Sequence, residues 1–534
     1  MDEMNQIPAA EVLAPEGVPA GTMPQTAVYP QTQKRVFDLL PHDPVFAWIM
    51  LPLGFLFTRY VIFRADGFFT TGFYLLLFLC SGIYLKKAGC KITLPHRILG
   101  VLLCAFSTVF SITASPLLHG LCFVFVTALF IWRTHAAAAG TGFVTRFLPF
   151  DLAESAFREP GRNIGAGPQA ISYSVRKSPS AGTVKNILLG LLITVPLTVV
   201  VAALLAKADS GIQNMLRSMT DMVSENMVRS ITELAFGIPA GICLFAVLYS
   251  AVQRKKRPYP MPSEAFYEEL LSRTRKIPNA GLYAGVTPIC LLYLAYVVSQ
   301  TSYFLSAFAG KLPSDMIYSE YARRGFFELC AIAVINLIVI LVLTGCAKKG
   351  GSTRPKLLTG YAVVLCLFTL FIIATALAKM LLYIKAYGLT ALRLYTAWFI
   401  VLLAVVFFVL MLRQFIRKFP TAAILSVSFT VLFGLLCFAG PEARIAEYNI
   451  ARYESGTLKE LDVQMLCELS EDAYTVMAKH PDTLTRAGQW EYFREKAEDR
   501  TDRYRIQKDH SWNLPAQILI QQIHTDTGKG VTAS

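Results

Sequence analysis

The feature that most restricts this chain is a succession of apolar runs, each long enough to cross a bilayer and nearly free of charge. A helix needs about 20 mostly apolar residues to span roughly 30 Å of hydrocarbon. Eleven stretches qualify: 45–63, 67–85, 98–115, 117–133, 187–206, 231–252, 281–308, 325–345, 359–382, 390–412 and 421–439. Most are flanked by Lys, Arg, Gly or Pro, as suits helix ends at the headgroups. Barrel strands are shorter, about 9–11 residues, and alternate in polarity, whereas these runs are continuous. The pattern accommodates ten to twelve crossings. Ser115-Pro116-Leu117 joins two runs as a tight hairpin or a re-entrant pair, 45–63 contains Pro52 and Arg59, and 281–308 is overlong and carries Pro288. The predicted fold is all-α, a polytopic transmembrane helix bundle of about eleven spans with a small helical C-terminal extramembrane unit.

Composition agrees. Hydrophobic residues make up 54% of the 534 and charged residues 16%, where soluble domains carry about a quarter charged. The mean hydropathy is +0.48. A soluble enzyme, a disordered scaffold and a disulfide-stapled secreted domain are excluded, because so apolar a chain would expose too much greasy surface to water. Residues 1–44 hold seven prolines and no apolar core, which predicts a disordered tail without a cleavable signal. Residues 45–441 form the transmembrane region and 442–534 a separate tail unit.

Orientation follows the loop cations. The N-terminal tail and the 86–97, 134–186, 253–280, 346–358 and 413–420 loops together hold 26 Lys and Arg, and the alternate loops hold 8. The N-terminus is therefore expected in the cytoplasm and, with an odd number of spans, the C-terminus outside the cell membrane. The net charge is +14, although 442–534 carries 16 acids against 12 bases. The basic loops suit anionic lipid at the inner face. They lack the aromatic interleaving of a nucleic-acid platform, and no nucleic-acid partner is expected.

Between the spans, Ile212, Met215, Leu216, Met219, Met222, Val223 and Met227 recur at helical spacing. They predict a Met-rich helix over 208–230, either lying on the outer surface or packed on the bundle. Short helices are expected within 143–158 and 263–276, the latter capped by Ser263, with a mobile loop over 159–184. In the tail, Ser470 is a candidate cap for a helix over 471–479, and further helices are expected over 483–506 and Trp512 to Ile523. Of eleven cysteines only Cys467 lies away from the spans, so neither a disulfide framework nor a zinc site is suggested. No phosphate-binding loop, HExxH, GxSxG or GxGxxG motif occurs. No cofactor and no catalytic residue is assigned.

Two polar groups stand out. Glu320, Arg323, Arg324 and Glu328 follow one another at i+3 and i+4 spacing at the opening of the 325–345 span, with Asn336 two turns deeper. An acid inside an apolar span is costly unless paired or hydrated. The set reads either as a binding element at the outer mouth or as a self-neutralising ladder that fixes helix depth. Tyr293, Tyr296, Gln300 and Tyr303 share a face of the 281–308 span. They read as a cavity lining or as interhelical hydrogen-bonding groups, with Gly281 and Gly285 allowing close helix approach. Arg59, Lys379 and Arg393 lie near span ends and are expected to snorkel.

Tyr318-x-x-Tyr321-Ala322-Arg323-x-Gly325-Phe326-Phe327-Glu328-Leu329, continuing into Asn336-Leu337, resembles a family of bacterial multi-span membrane proteins known only as a domain of unknown function. Asn449-x-x-Arg452-Tyr453-x-x-Gly456 with Leu461-Asp462, and Trp512-Asn513-Leu514, are similar to that family too. The resemblance covers about 185 to 525. It implies an integral membrane protein of Gram-positive-type bacteria and assigns no activity. Three classes of function remain: an envelope sensor, scaffold or accessory subunit with a membrane or envelope partner; a secondary transporter using Glu328; and a membrane enzyme acting on lipid or glycan precursors, in which Glu320, Glu328 and Asp462 or Asp472 would converge.

Overall fold

A computed structural model describes residues 37–63, 67–90, 92–139, 147–175, 225–256, 264–299, 318–348, 356–416, 419–506 and 512–530, with isolated positions between 190 and 201. Every regular element among them is helical, apart from an isolated bridge between Ile277 and Ala347. Hydrocarbon offers no partner to a backbone N–H or C=O, so a spanning segment must satisfy these groups within itself, and a helix does so.

Ten of the described helices are long and apolar enough to cross a membrane. The first four are α1 (Asp43–Phe57, prolonged by a π-helical turn over Thr58–Ile62), α2 (Gly67–Lys87), α3 (Leu94–Ser107, continued by Val109–Ile112) and α4 (Pro116–Ala139). After α5 (Ala166–Val175) follow α6 (Glu225–Lys256), α7 (Asn279–Ser299), α8 (Tyr318–Gly345), α9 (Lys356–Tyr387), α10 (Ala391–Phe415) and α11 (Thr421–Phe438). The outward faces remain apolar: Leu291, Leu292, Leu294 and Val298 on α7 and Ile335, Ile338 and Leu341 on α8 are exposed, a surface suited to a bilayer rather than to water. The expected span over 187–206 lies outside the described residues except at isolated positions. So do residues 1–36 and the Met-rich stretch up to 224; residues 225–230 open α6.

Several expectations are corrected. Of the two arrangements open for the runs on either side of Pro116, the helix lengths fit the tight hairpin. Both α3 and α4 have crossing length, and the Cys122 thiol of α4 donates to Phe106 O of α3 at 3.2 Å. Residues 159–163 and 166–175, read as loop, are helical. Their small residues serve packing, since Ala166 and Ala170 are buried, Asn163 donates to Ser250 Oγ at 2.9 Å, and Trp48 donates to Ser174 Oγ at 3.0 Å. Close helix approach does not occur at Gly281 or Gly285, where a Cβ would meet an Ile277 methyl at 3.9 Å or nothing at all. It occurs between α1 and α6. A Cβ on Gly54 would overlap Gly237 O and Gly241 N, and one on Gly241 would overlap Met50 O. These are backbone atoms, which cannot rotate away.

The chain then continues through α12 (Pro441–Glu454), α13 (Val463–Cys467), α14 (Glu471–Met477), α15 (Pro481–Arg486), α16 (Trp490–Ile506) and α17 (Leu514–Gly530). The single helix expected over 483–506 is two, broken at Gly488 with φ of +69°, a conformation natural to glycine. Ile445, Leu466, Tyr474, Met477, Phe493 and Leu519 form the core of these helices, and Leu389 and Leu394 at the start of α10 pack against it.

Gly241→Val should force α1 and α6 apart. Overpacking costs about 1–3 kcal/mol where side chains can adjust, and here only backbone is available to move. A lower unfolding midpoint in mild detergent is expected for Gly241→Val and for Gly54→Val, with Gly285→Val close to wild type.

Candidate functional site

Glu328 lies on the third turn of α8, where α8 and α9 run antiparallel. It lines a small cleft with Tyr296 of α7, Gly325 and Ile332 of α8, and Ile372, Thr375, Ala376 and Lys379 of α9. The free space is about 10 Å³, room for about one water molecule. Lys379 is 2% exposed, so it does not snorkel. Its stem passes over Gly325, whose missing side chain makes the room: a Cβ there would come within 2.9 Å of Lys379 Cδ. The cleft thus holds an acidic and a basic side chain among the apolar Ile332, Ile372 and Ala376, with Tyr296 and Thr375 beside them.

Below it, Asn336 is fully buried. Tyr293 Oη donates to Asn336 Oδ1 at 2.8 Å, Asn336 Nδ2 donates to Thr369 Oγ1 at 2.8 Å, and Thr369 donates to Leu365 O at 2.8 Å. This relay ties α7, α8 and α9 together. The Tyr293 ring stacks on Phe368 with centroids 3.9 Å apart. The two polar groups read from sequence therefore meet: Tyr293 bonds Asn336, and Tyr296 shares the cleft with Glu328. Gln300 and Tyr303 lie outside the described residues. Glu320 and Arg323 are exposed on the first turns of α8, and the Arg324 side chain is outside the described set. The sequence reading missed Thr369 and Lys379 as partners, although Thr369, Ile372, Ala376 and Lys379 already follow one another at helical spacing.

A second polar centre forms where α12 and α14 meet the turn between α3 and α4. Asp472 Oδ2 accepts from the Ala114 amide at 2.7 Å and from the hydroxyls of Thr113 and Ser470 at 2.9 Å each. Glu442 accepts from the Ser470 amide at 2.6 Å and, by a short bond, from the Ser115 hydroxyl. The Ser470 hydroxyl thus does not cap α14, contrary to expectation. His119 of α4 donates from Nε2 to Thr113 O at 2.9 Å, and Tyr395 Oη of α10 lies 3.5 Å from Ser115 Oγ. Further along, Asn449 brackets Leu389, accepting its N–H and donating to its C=O at 2.7 Å each, and Arg452 donates to Ile384 O at 3.2 Å. Trp512 O accepts from Phe68 N at 2.9 Å.

A third buried acid, Glu233 of α6, takes Arg229 at 3.1 Å and Arg59 at 3.7 Å. Arg59 is thus an ion-pair partner rather than a free snorkelling cation. Arg393 does sit at a helix end, donating to Gly388 O at 2.6 Å and covering the Tyr383 ring at 3.9 Å. The acids expected to converge do not. Asp462 caps α13 through Met465 N, Glu320 is exposed, Glu328 lines its own cleft, and Asp472 pairs with the 113–115 turn.

Long apolar helices with lipid-facing exteriors and polar groups confined to the interior and the ends define a multi-pass integral membrane protein. The chain belongs to the family described as Domain of unknown function (DUF4153), which matches residues 100–480. No curated protein and no solved structure matches the chain.

Burial, and then the neighbouring Glu442 charge, raise the Asp472 carboxyl above its ordinary range; the three hydrogen bonds oppose them. A carboxyl with a higher pKa folded than unfolded binds more protons in the folded state between those values, so stability falls as pH rises through that window. Attachment of α14 to the 113–115 turn should therefore be firmest on the acid side of the window and loosen above it, read as amide-exchange protection at Ala114 and Ser470. Asp472→Asn should flatten this dependence. Asp472→Ala strands buried donors and should cost about 1–3 kcal/mol.

Proposed function

We propose that this protein is an envelope-associated sensor, scaffold or accessory subunit. Residues 1–44 form its cytoplasmic tail, 45–441 its membrane region, and 442–534 an extracytoplasmic unit that meets a membrane or envelope partner. The observation that carries the reading is the joint at Glu442 and Asp472. Both side chains are buried and reach polar groups of the 113–115 turn. Together with the Asn449 bracket, it ties the C-terminal helices to the ends of α3, α4, α9 and α10, so an event at the unit is felt by spanning helices. The cation excess in loops at the end opposite this joint supports the orientation.

The test is purification of the full-length chain from its native membranes in mild detergent after brief crosslinking. One membrane or envelope protein should co-purify in fixed proportion, with recovery reduced about tenfold, or about 1.4 kcal/mol, by Glu442→Ala. Recovery of the protein alone counts against the reading. A C-terminal tag should be reachable in intact cells.

The cleft at Glu328 favours a second reading, a secondary transporter. Acids and cations within spans commonly mark ion or proton pathways. Under this reading Glu328→Gln abolishes solute-coupled proton uptake into proteoliposomes, and unchanged uptake removes Glu328 from any mechanism.

A further inference from the structure

Arg133 is the buried cation that neither polar centre accounts for. It lies on α4, 2% exposed, between α2 and α3 at the end of the bundle that carries the basic 86–97 loop. Its Nη1 donates to Ser81 Oγ at 2.8 Å and approaches Phe78 O at 3.5 Å. The guanidinium lies 4.3 Å from the centre of the Phe78 ring. Nε is buried and has no hydrogen-bond partner. Among the described residues no carboxylate pairs with it. A serine hydroxyl and a ring face offset only part of the cost of a full charge in so apolar a site.

The space beside it is specific. A Cβ on Gly82 of α2 would meet one group alone, Arg133 Nη2, at 3.1 Å. Gly82 therefore leaves a notch with a guanidinium N–H at its base. On α3, Gly100 is buried and its missing side chain makes room for the Phe78 ring, whose Cε2 lies 2.8 Å from where a Cβ would stand, with Arg133 Nε behind it at 3.5 Å. One helical step outward from these glycines stand Lys86 at i+4 and Arg97 at i−3, both exposed. Along the same helices Ile83 and Val101 are exposed and apolar, Val101 at 70%. The notch thus offers a cation at its floor, two exposed cations beyond its rim, and exposed apolar side chains on the two helices beside it.

We infer that this site binds an anionic phospholipid, with the headgroup phosphate reaching Arg133 through the Gly82 notch between Lys86 and Arg97, and an acyl chain lying along Ile83 and Val101. A phosphate oxygen suits a guanidinium better than water does, because it adds an opposite charge and matches the planar fork of N–H donors. Lipid, rather than free phosphate, is favoured by the exposed apolar side chains, since burying an acyl methylene contributes about 0.8 kcal/mol. This site is independent of the function proposed for the C-terminal unit.

The experiment is a lipid titration of the delipidated full-length protein, read as bound lipids by native mass spectrometry and as the shift in unfolding midpoint. Phosphatidylglycerol should bind and raise the midpoint, with phosphatidylcholine and inorganic phosphate giving little. Gly82→Val, which fills the notch and keeps Arg133, and Arg133→Gln should each weaken phosphatidylglycerol binding about tenfold. Should Arg133→Gln fail to fold, the exposed pair Lys86→Gln/Arg97→Gln decides, with a several-fold loss expected. Equal stabilisation by inorganic phosphate would assign the site to a free anion and overturn the lipid assignment. Phosphatidylglycerol binding undiminished in Gly82→Val or in the Lys86/Arg97 pair would overturn the site itself.

Discussion

Hydrocarbon leaves no polar group a solvent to fall back on, and the architecture answers to that constraint. It makes the crossing segments helical, because an unsatisfied N–H or C=O costs several kcal/mol in lipid. It also governs the side chains. Asn336 is tolerated mid-bundle because Tyr293 and Thr369 occupy both ends of its amide. Thr58, Ser107, Thr344 and Thr375 return their hydroxyls to carbonyls one turn back on their own helices. Glu233 is flanked by two arginines. Each of these groups is met by a partner from the same or a neighbouring helix, whereas Arg133 Nε is not.

The same constraint explains what could be read from the sequence. Long runs without charge can only be crossing helices, so the class of fold and ten of the crossings follow from hydropathy. The Tyr293/Tyr296 face and the Glu328/Asn336 face were visible as periodic patterns on separate helices. Their meeting was not, since one strand of sequence records which residues share a face and nothing about which faces touch. Two buried cations escape a hydropathy reading for a common reason. Lys379 and Arg133 lie at or near the ends of their apolar runs, 359–382 and 117–133, yet the helices continue to Tyr387 and Ala139. A hydropathy run stops at a cation whether or not the helix does. At about 1.5 Å per residue, eight further residues place Lys379 some 12 Å inside the end of α9, and six place Arg133 about 9 Å inside the end of α4. A glycine on a neighbouring helix, Gly325 or Gly82, then provides the space that sequence order does not reveal.

The glycines divide into three physical uses. Gly54, Gly237 and Gly241 let two backbones touch, the arrangement that small residues permit where lipid supplies no hydrophobic drive between helices. Gly325 and Gly82 make room for a long cationic side chain. Gly388, at φ +80°, turns the chain between α9 and α10 so that Asn449 can bracket Leu389. Gly281 and Gly285 do none of these. Glycine frequency in a span is thus a poor guide to packing; what matters is the atom facing the missing Cβ.

The C-terminal helices gain significance from the turns they touch. They hold Phe68 at the start of α2, Thr113–Ser115 between α3 and α4, and Leu389 between α9 and α10. Within the bundle, helices from early and late in the chain already meet through aromatic packing, Phe106 of α3 stacking on Phe433 of α11 with centroids 5.7 Å apart. Apolar contacts of that kind are short-ranged but non-directional, and they tolerate small slides between helices. The hydrogen bonds of Asp472, Glu442 and Asn449 do not, because each loses its geometry over a fraction of an ångström and leaves a buried donor or acceptor unmet. The polar clamps of the C-terminal helices are therefore the part of the molecule that sets one relative position for the adjoining ends of helices α3, α4, α9 and α10, where the greasy interfaces alone would allow a slide.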